Sequence, residues 1–174
     1  RDGEVIGTAM AWLYGTDAAT LGMVIVSPAA QGMGLGRRLM EAVVCGATNL
    51  DIAGVDIIAK SPFDTDAGDV MAAHGIILGT TENLGYMSGA LKDFFARIYY
   101  PCLEAKQGTP YALYIRAGHD GTGTRRGVET IVTGLRWKAV QEPLIMRGDW
   151  QDTFIEPCEE LGMAMAAGLE AGII

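Results

Sequence analysis

The sequence predicts an α/β fold: a five-stranded parallel sheet in the order 2-1-3-4-5 between two layers of helices, with an extra strand or hairpin at the N-terminus. Three observations carry this. Short β-rich runs without polar alternation, such as Gly75-Ile76-Ile77-Leu78-Gly79, read as strands buried on both faces. Amphipathic helical runs stand between them, and strand–helix alternation calls for a parallel sheet covered on both sides. Glycine-rich loops follow the first, third and fourth core strands, at residues 27–36, 80–88 and 117–124. In this strand order the three converge on one crevice at the carboxyl ends, where open α/β sheets bind ligands.

Residues 4–14 (EVIGTAMAWLY) are apolar and lie between the turn signals Asp2-Gly3 and Gly15-Thr16-Asp17. They predict a strand that turns back as a hairpin into Leu21-Gly22-Met23-Val24-Ile25-Val26, the first core strand. Pro28 stops it, and the glycines of Gln31-Gly32-Met33-Gly34-Leu35-Gly36 permit close backbone approach. Helical periodicity begins at Leu39, with Leu39, Met40, Val43 and Val44 on one face, and ends near Gly46. A glycine-rich loop feeding a helix N-terminus is an anion site, because free N–H groups and the helix dipole point the same way. A plain turn whose glycines serve packing is the alternative.

A second core strand spans 55–59, after the Ala53-Gly54 turn. Residues 62–69 (PFDTDAGD) form a polar connection whose acids fit no calcium loop, and Val70-Met71-Ala72-Ala73 is a short helical turn. His74 reads as an ordinary edge histidine. The third strand, 75–79, runs into Thr80-Thr81-Glu82-Asn83-Leu84-Gly85-Tyr86-Met87-Ser88, a loop of hydroxyls, an amide, an aromatic ring and flexible glycine suited to a planar polar ligand. Leu91, Phe94, Phe95 and Ile98 then share one helical face, and Pro101 closes that helix. Residues 111–115 are the fourth strand, opening into a loop that holds Ala117, Gly118, His119, Asp120 and Gly121. The next helix spans 125–135, with Val128, Ile131, Val132 and Leu135 inward. Residues 138–140 and 144–146, split by Glu142-Pro143, make the last strand. A C-terminal helix over 150–171 buries Phe154, Leu161, Met165 and Leu169.

With 174 residues and 49% hydrophobic content the chain suits one domain, 1–174, with 1–20 as an extension. A net charge of −8 opposes nucleic acid and anionic membranes as partners, since both demand clustered cations. No apolar run approaches the ~18 residues of a membrane span. The chain opens on Arg1-Asp2-Gly3-Glu4, unlike a signal peptide and without an initiator Met, as expected of a fragment. Cys45, Cys102 and Cys158 are odd in number and far apart, so buried thiols in a reducing cytoplasm are expected rather than disulfides or zinc.

Two resemblances sharpen this reading. Val24-Ile25-Val26-Ser27-Pro28 with Gln31-Gly32-Met33-Gly34-Leu35-Gly36-Arg37-Arg38-Leu39-Met40 resembles the pyrophosphate loop of the GNAT N-acetyltransferases. Glu4-Val5-Ile6-Gly7-Thr8-Ala9 resembles an earlier strand of that family. Over residues 1–44 this implies backbone amides of Gly32 to Gly36 holding acetyl-CoA, but nothing after residue 60 resembles the family's closing strands. Residues 39–174 resemble the flavodoxin-like family, close to its NAD(P)H-dependent FMN reductase branch. The stretches that carry this are 75–89, Leu91-Lys92-Asp93-Phe94-Phe95 and Gly118-His119-Asp120-Gly121. That resemblance implies a three-layer sandwich binding FMN, its phosphate in the first loop and its ring between the later two.

The resemblance places residues 80–88 against the ribityl chain and ring edge, and 117–123 along the ring. The first loop departs from the family's Ser/Thr-rich pattern. It has only Ser27, so Gln31, the glycines at 32, 34 and 36, and Arg37 are left to hold phosphate. The chain therefore reads as chimera-like, a segment resembling the acetyltransferases joined to a flavodoxin-like body. Tyr86 is expected at the ring or in the core, and His119 at the ring or capping the next helix. No nucleophile with an adjacent base and no metal cluster stands out. Trp137, Trp150 and Tyr99-Tyr100 offer an apolar surface for a possible homo-oligomer.

Overall fold

A computed structural model describes residues 11–14, 18–21, 35–48 and 57–174. Its elements are β1 (Ala11–Tyr14), β2 (Ala18–Leu21), α1 (Leu35–Thr48), α2 (Ala67–Ala72), β3 (Ile76–Asn83), β4 (Tyr86–Met87), α3 (Gly89–Cys102), β5 (Pro110–Ala117), α4 (Thr122–Gly134), β6 (Lys138–Ala139), β7 (Leu144–Arg147) and α5 (Ile155–Glu170). A 3-10 turn at Asp152–Phe154 leads into α5.

The main sheet centres on β5. β3 runs parallel to it, from Ile76 opposite Tyr111 to Thr81 opposite Arg116. On the other side β6 and β7 pair with β5 in turn, both parallel. Glu142-Pro143 separates these two pieces, because proline brings no N–H to a ladder. These are the third, fourth and fifth strands of the predicted order. The predicted first core strand lies outside the described residues apart from Leu21, which ends β2. The predicted second is described only from Ile57, and residues 57–60 are not in a strand. Ile58 there is exposed, without the burial that would favour a strand. β1 and β2 form a hairpin about the expected turn, but its second strand is Ala18–Leu21 rather than 21–26, and it stands as a separate antiparallel pair, Ala11 opposite Leu21 and Tyr14 opposite Ala18.

Alternate residues of β5 point to opposite faces, and this builds two cores. Leu113, Ile115 and Ala117 join the predicted inner face of α3 (Leu91, Phe94, Phe95, Ile98) and Val128 and Val132 of α4. Ala112 joins Leu39, Ala42 and Val43 of α1, Leu161 and Met165 of α5, and Met146 of β7. Helices α3 and α4 thus cover one face, α1 and α5 the other. The second pair meets backbone to backbone: a Cβ on Gly46 would stand 1.9 Å from the Glu159 carbonyl oxygen, and one on Gly162 2.0 Å from that of Val43.

Several boundaries depart from expectation. β3 extends through Asn83, α1 begins at Leu35 and α4 at Thr122. α5 begins at Ile155 rather than 150, with Pro157 in its first turn, where a missing N–H is tolerated. The acids of residues 62–69 have local work: Asp66 and Asp69 cap α2 reciprocally, each carboxylate accepting the other's N–H. Cys102 and Cys158 are buried but Cys45 is exposed, because it shares the outer face of α1 with Glu41. Trp137 is buried near Tyr111 rather than offered to a partner, whereas Tyr100 stands out in solvent.

The C-terminus of α4 yields one prediction. Trp137 N–H donates to the Val132 carbonyl and Arg136 N–H to that of Thr133, both at 3.0 Å. This double closure needs a left-handed residue, and Arg136 supplies it at φ 56°. Arg136→Gly is expected to raise stability by roughly 0.5 kcal/mol, since glycine takes that conformation without steric penalty. A higher urea midpoint at unchanged m-value would show it.

Candidate functional site

Two loops leave the carboxyl ends of the adjacent strands β3 and β5. Most of the predicted 80–88 loop is strand: Glu82 and Asn83 pair with Met87 and Tyr86, and the chain reverses over Leu84 and Gly85 alone. Their φ values of 54° and 73° match a type I′ hairpin turn. Leu84 in the first turn position, where asparagine is usual, hid this turn from sequence reasoning. The hydroxyls of the stretch brace it from within. Thr80 Oγ1 accepts the Ser88 N–H at 3.1 Å and donates to the Thr81 carbonyl at 3.0 Å. Thr81 Oγ1 donates to Asn83 Oδ1 at 2.7 Å, and Ser88 Oγ caps α3 by accepting the Leu91 N–H at 3.2 Å. All three residues are buried, as is Met87. What faces outward is Leu84, 96% exposed, held in a conformation that costs a non-glycine residue about 1–2 kcal/mol. Strain of this kind gathers at functional sites.

The second loop is shorter than expected. Ala117 is still strand, Gly118, His119 and Asp120 are exposed, and Gly121 at φ 74° is the residue before α4. The N-cap of that helix is Gly121, and Asp120, rather than His119, bonds to its first turn: its Oδ1 accepts the Thr122 N–H at 2.8 Å. This backbone hydrogen bond is the chief reason its carboxyl titrates below the ordinary range.

Glu82 joins the loops. Its Oε2 accepts the His119 N–H at 2.7 Å and its Oε1 the Gly121 N–H at 3.2 Å. Two close approaches reinforce the join. A Cβ on Gly123 would stand 2.0 Å from the Gly85 carbonyl oxygen, and one on Gly127 2.3 Å from the Tyr86 ring. Tyr86 therefore seats its ring on α4 and is only partly open to solvent.

Arg116, at the end of β5, escaped sequence reasoning, although a lone arginine in PYALYIRA is a visible signal. Its side chain is buried, with the residue 3% exposed. Nη1 donates to the carbonyls of Ala117 at 2.6 Å and Met146 at 3.2 Å, and Nη2 to that of Gly148. Its guanidinium lies 5.4 Å over the Phe154 ring, and Nε finds no partner. Burial lowers its pKa, yet an arginine remains charged. Arg116 ties the loop after β7 to the same end of the sheet. Arg38 of α1 adds to this by pairing with Asp152 at 2.9 Å and lying 5.3 Å over Trp150.

Of the first-loop candidates, Ser27, Gln31, Gly32 and Gly34 lie outside the described residues, and Gly36 and Arg37 fall in the first turn of α1. A cavity of about 890 Å³ opens at the amino end of β3, but its Lys60 and Asp69 are paired with one another. Among the described residues no cluster of His, Cys, Asp and Glu is placed to hold a metal, and no helix is long and apolar enough to cross a membrane.

Comparison with solved structures decides the fold. An archaeal flavodoxin superposes with a TM-score of 0.67 at 17% identity, over 79% of this chain and 92% of the flavodoxin. Two-electron-reduced Megasphaera elsdenii flavodoxin gives 0.63 at 19% identity, over 79% and 94%. The fold is flavodoxin-like. A flavodoxin-like protein of the WrbA type from Agrobacterium tumefaciens gives 0.61 at 18% identity, over 82% and 93%. Residues 1–58 match the acetyltransferase (GNAT) family model, which overlaps this flavodoxin-like fold along α1. By sequence, no curated protein matches the chain.

Proposed function

We propose that the protein binds FMN non-covalently and acts as a flavin-dependent oxidoreductase or electron carrier, with a two-electron donor such as NAD(P)H. The observation that carries this is the pair of loops locked together by Glu82 at the ends of β3 and β5. It leaves Leu84 on one side and the exposed Gly118, His119 and Asp120 on the other. That donor set fits a flat ring with an apolar face and a polar rim: a leucine for the face, backbone groups and the 118–120 loop for the rim. The flavodoxin-like fold supports the reading, and its solved neighbours include flavodoxins in oxidised and two-electron-reduced states.

In this reading residues 84–86 and 118–121 hold the ring, while Ser27, Gln31, Gly32, Gly34, Gly36 and Arg37 hold the phosphate. FMN, when bound, supplies the redox chemistry, and the chain supplies position and electrostatics. Thr80, Thr81 and Ser88 keep the turn rigid, so that Leu84 is presented without rearrangement. The Arg116 guanidinium has no carboxylate bonded to it and adds fixed positive charge at the carboxyl ends of β5 and β7, the end of the sheet from which the two loops leave, where it favours developing negative charge.

Titrating the ligand-free chain with FMN while following flavin fluorescence tests the proposal. Saturable one-to-one quenching is expected, with riboflavin binding more weakly by about 1 kcal/mol or more for each lost phosphate contact. A flat titration would overturn it. The family match over residues 1–58 favours a second reading, acetyl-CoA binding. Heat released on adding acetyl-CoA, with no uptake of FMN, would select that one.

A further inference from the structure

We infer that Glu82 is a specificity-determining strut: its carboxylate fills the N–H nest ahead of α4 as an internal anion, setting the loop after β5 in place without a ligand and keeping a ligand's phosphate out of it. Both carboxylate oxygens are engaged, by N–H groups 37 and 39 residues further along the chain. Converging N–H groups beside a left-handed residue make a concavity that binds anions. Here Gly121 is that residue, at φ 74°. The concavity opens at the positive end of a 13-residue helix. The next donor, Thr122 N–H, is taken by Asp120.

An anion arriving here therefore meets two carboxylates and finds these three donors occupied. An uncharged planar group meets only the loop's exposed surface. The sequence offers a second phosphate candidate in the glycine-rich run ahead of α1, and with Glu82 in place the nest ahead of α4 is closed to phosphate. The inference stands on the geometry of the two loops and holds whether or not a flavin binds.

The test uses the ligand-free chain and its backbone amide resonances. In Glu82→Ala the His119 and Gly121 amides are expected to shift and to exchange about tenfold faster, the loss that fits a hydrogen bond to a charged acceptor. Sodium acetate should restore both signals saturably by supplying the missing carboxylate, and inorganic phosphate should bind the vacated nest. Sodium chloride at matched ionic strength should do neither. In the unsubstituted chain acetate and phosphate should leave the two amides unmoved. Glu82→Gln has nearly the same shape and one acceptor oxygen, so it should keep one bond and respond less.

Amides that stay protected in Glu82→Ala would overturn the inference, as would amides that neither anion restores. If Glu82→Ala does not fold, Glu82→Gln decides alone: phosphate-sensitive amides uphold the strut and insensitive ones overturn it. Because no flavin enters the experiment, its outcome is separate from that of the FMN titration.

Discussion

Gly123→Ala is expected to weaken FMN binding by about ten- to a hundredfold while lowering overall stability by only about 1–2 kcal/mol. The added Cβ would stand 2.0 Å from the Gly85 carbonyl oxygen and 3.2 Å from its carbon. That oxygen is backbone in a two-residue turn, so it cannot swing aside as a side chain would. The turn must tilt off α4, taking Leu84 with it and loosening the Glu82 contacts to His119 and Gly121. Distortion of about 1.4–2.8 kcal/mol at the site corresponds to that range of affinity. Flavin fluorescence titration and thermal unfolding, run together, separate the two effects. Unchanged binding and an unchanged melting temperature would show that the turn does not rest on α4. Gly89→Ala is the control, since nothing lies within 4 Å of its Cβ position at the start of α3.

The second large effect is expected on the other face. Gly46→Ala should destabilise the protein by about 3 kcal/mol, at the upper end of overpacking costs, and lower Tm by roughly 6–12 °C for a chain of this size. Alanine is the better helix former by about 1 kcal/mol, which works against the loss and is outweighed. A Cβ 1.9 Å from the Glu159 carbonyl oxygen forces α1 away from α5. Separation opens the core shared by Leu39, Ala42, Val43, Leu161 and Met165. Gly162→Ala meets the Val43 carbonyl from the opposite helix and should behave alike. If both variants melt like the parent chain, the close helix contact is absent in solution.

The sequence disclosed the layers better than the site. Helical spacing placed Leu91, Phe94, Phe95 and Ile98 on the buried side of α3, where all four lie, because amphipathic periodicity is a local signal. The three carboxyl-terminal strands were legible for the same reason, as was the interruption at Glu142-Pro143. The roles of the site residues were less so. Thr80, Thr81 and Ser88 looked like ligand hydroxyls, yet all three are buried, the threonines bonded within the hairpin and Ser88 spent on capping α3. Which way a hydroxyl faces depends on a turn whose first left-handed residue is a leucine. Glu82 was among the expected contacts, but its partners are 37 and 39 residues away, a distance that local patterning does not span. Arg116 was passed over because its acceptors are backbone carbonyls, which have no sequence signature.

The seam between α1 and α5 also has a consequence in time. α1 ends at Thr48 and α5 begins at Ile155. At a ribosomal rate of about 5–20 residues per second, α1 waits about 5–20 s for the helix that covers it. Throughout that interval Leu39, Ala42 and Val43 lack their partners Leu161 and Met165. A nascent chain with an uncovered apolar helix is a natural client for chaperones, and premature termination before α5 would leave that face permanently bare. Yield in the cell should therefore fall steeply when translation outruns chaperone supply, even for variants whose purified form is fully stable.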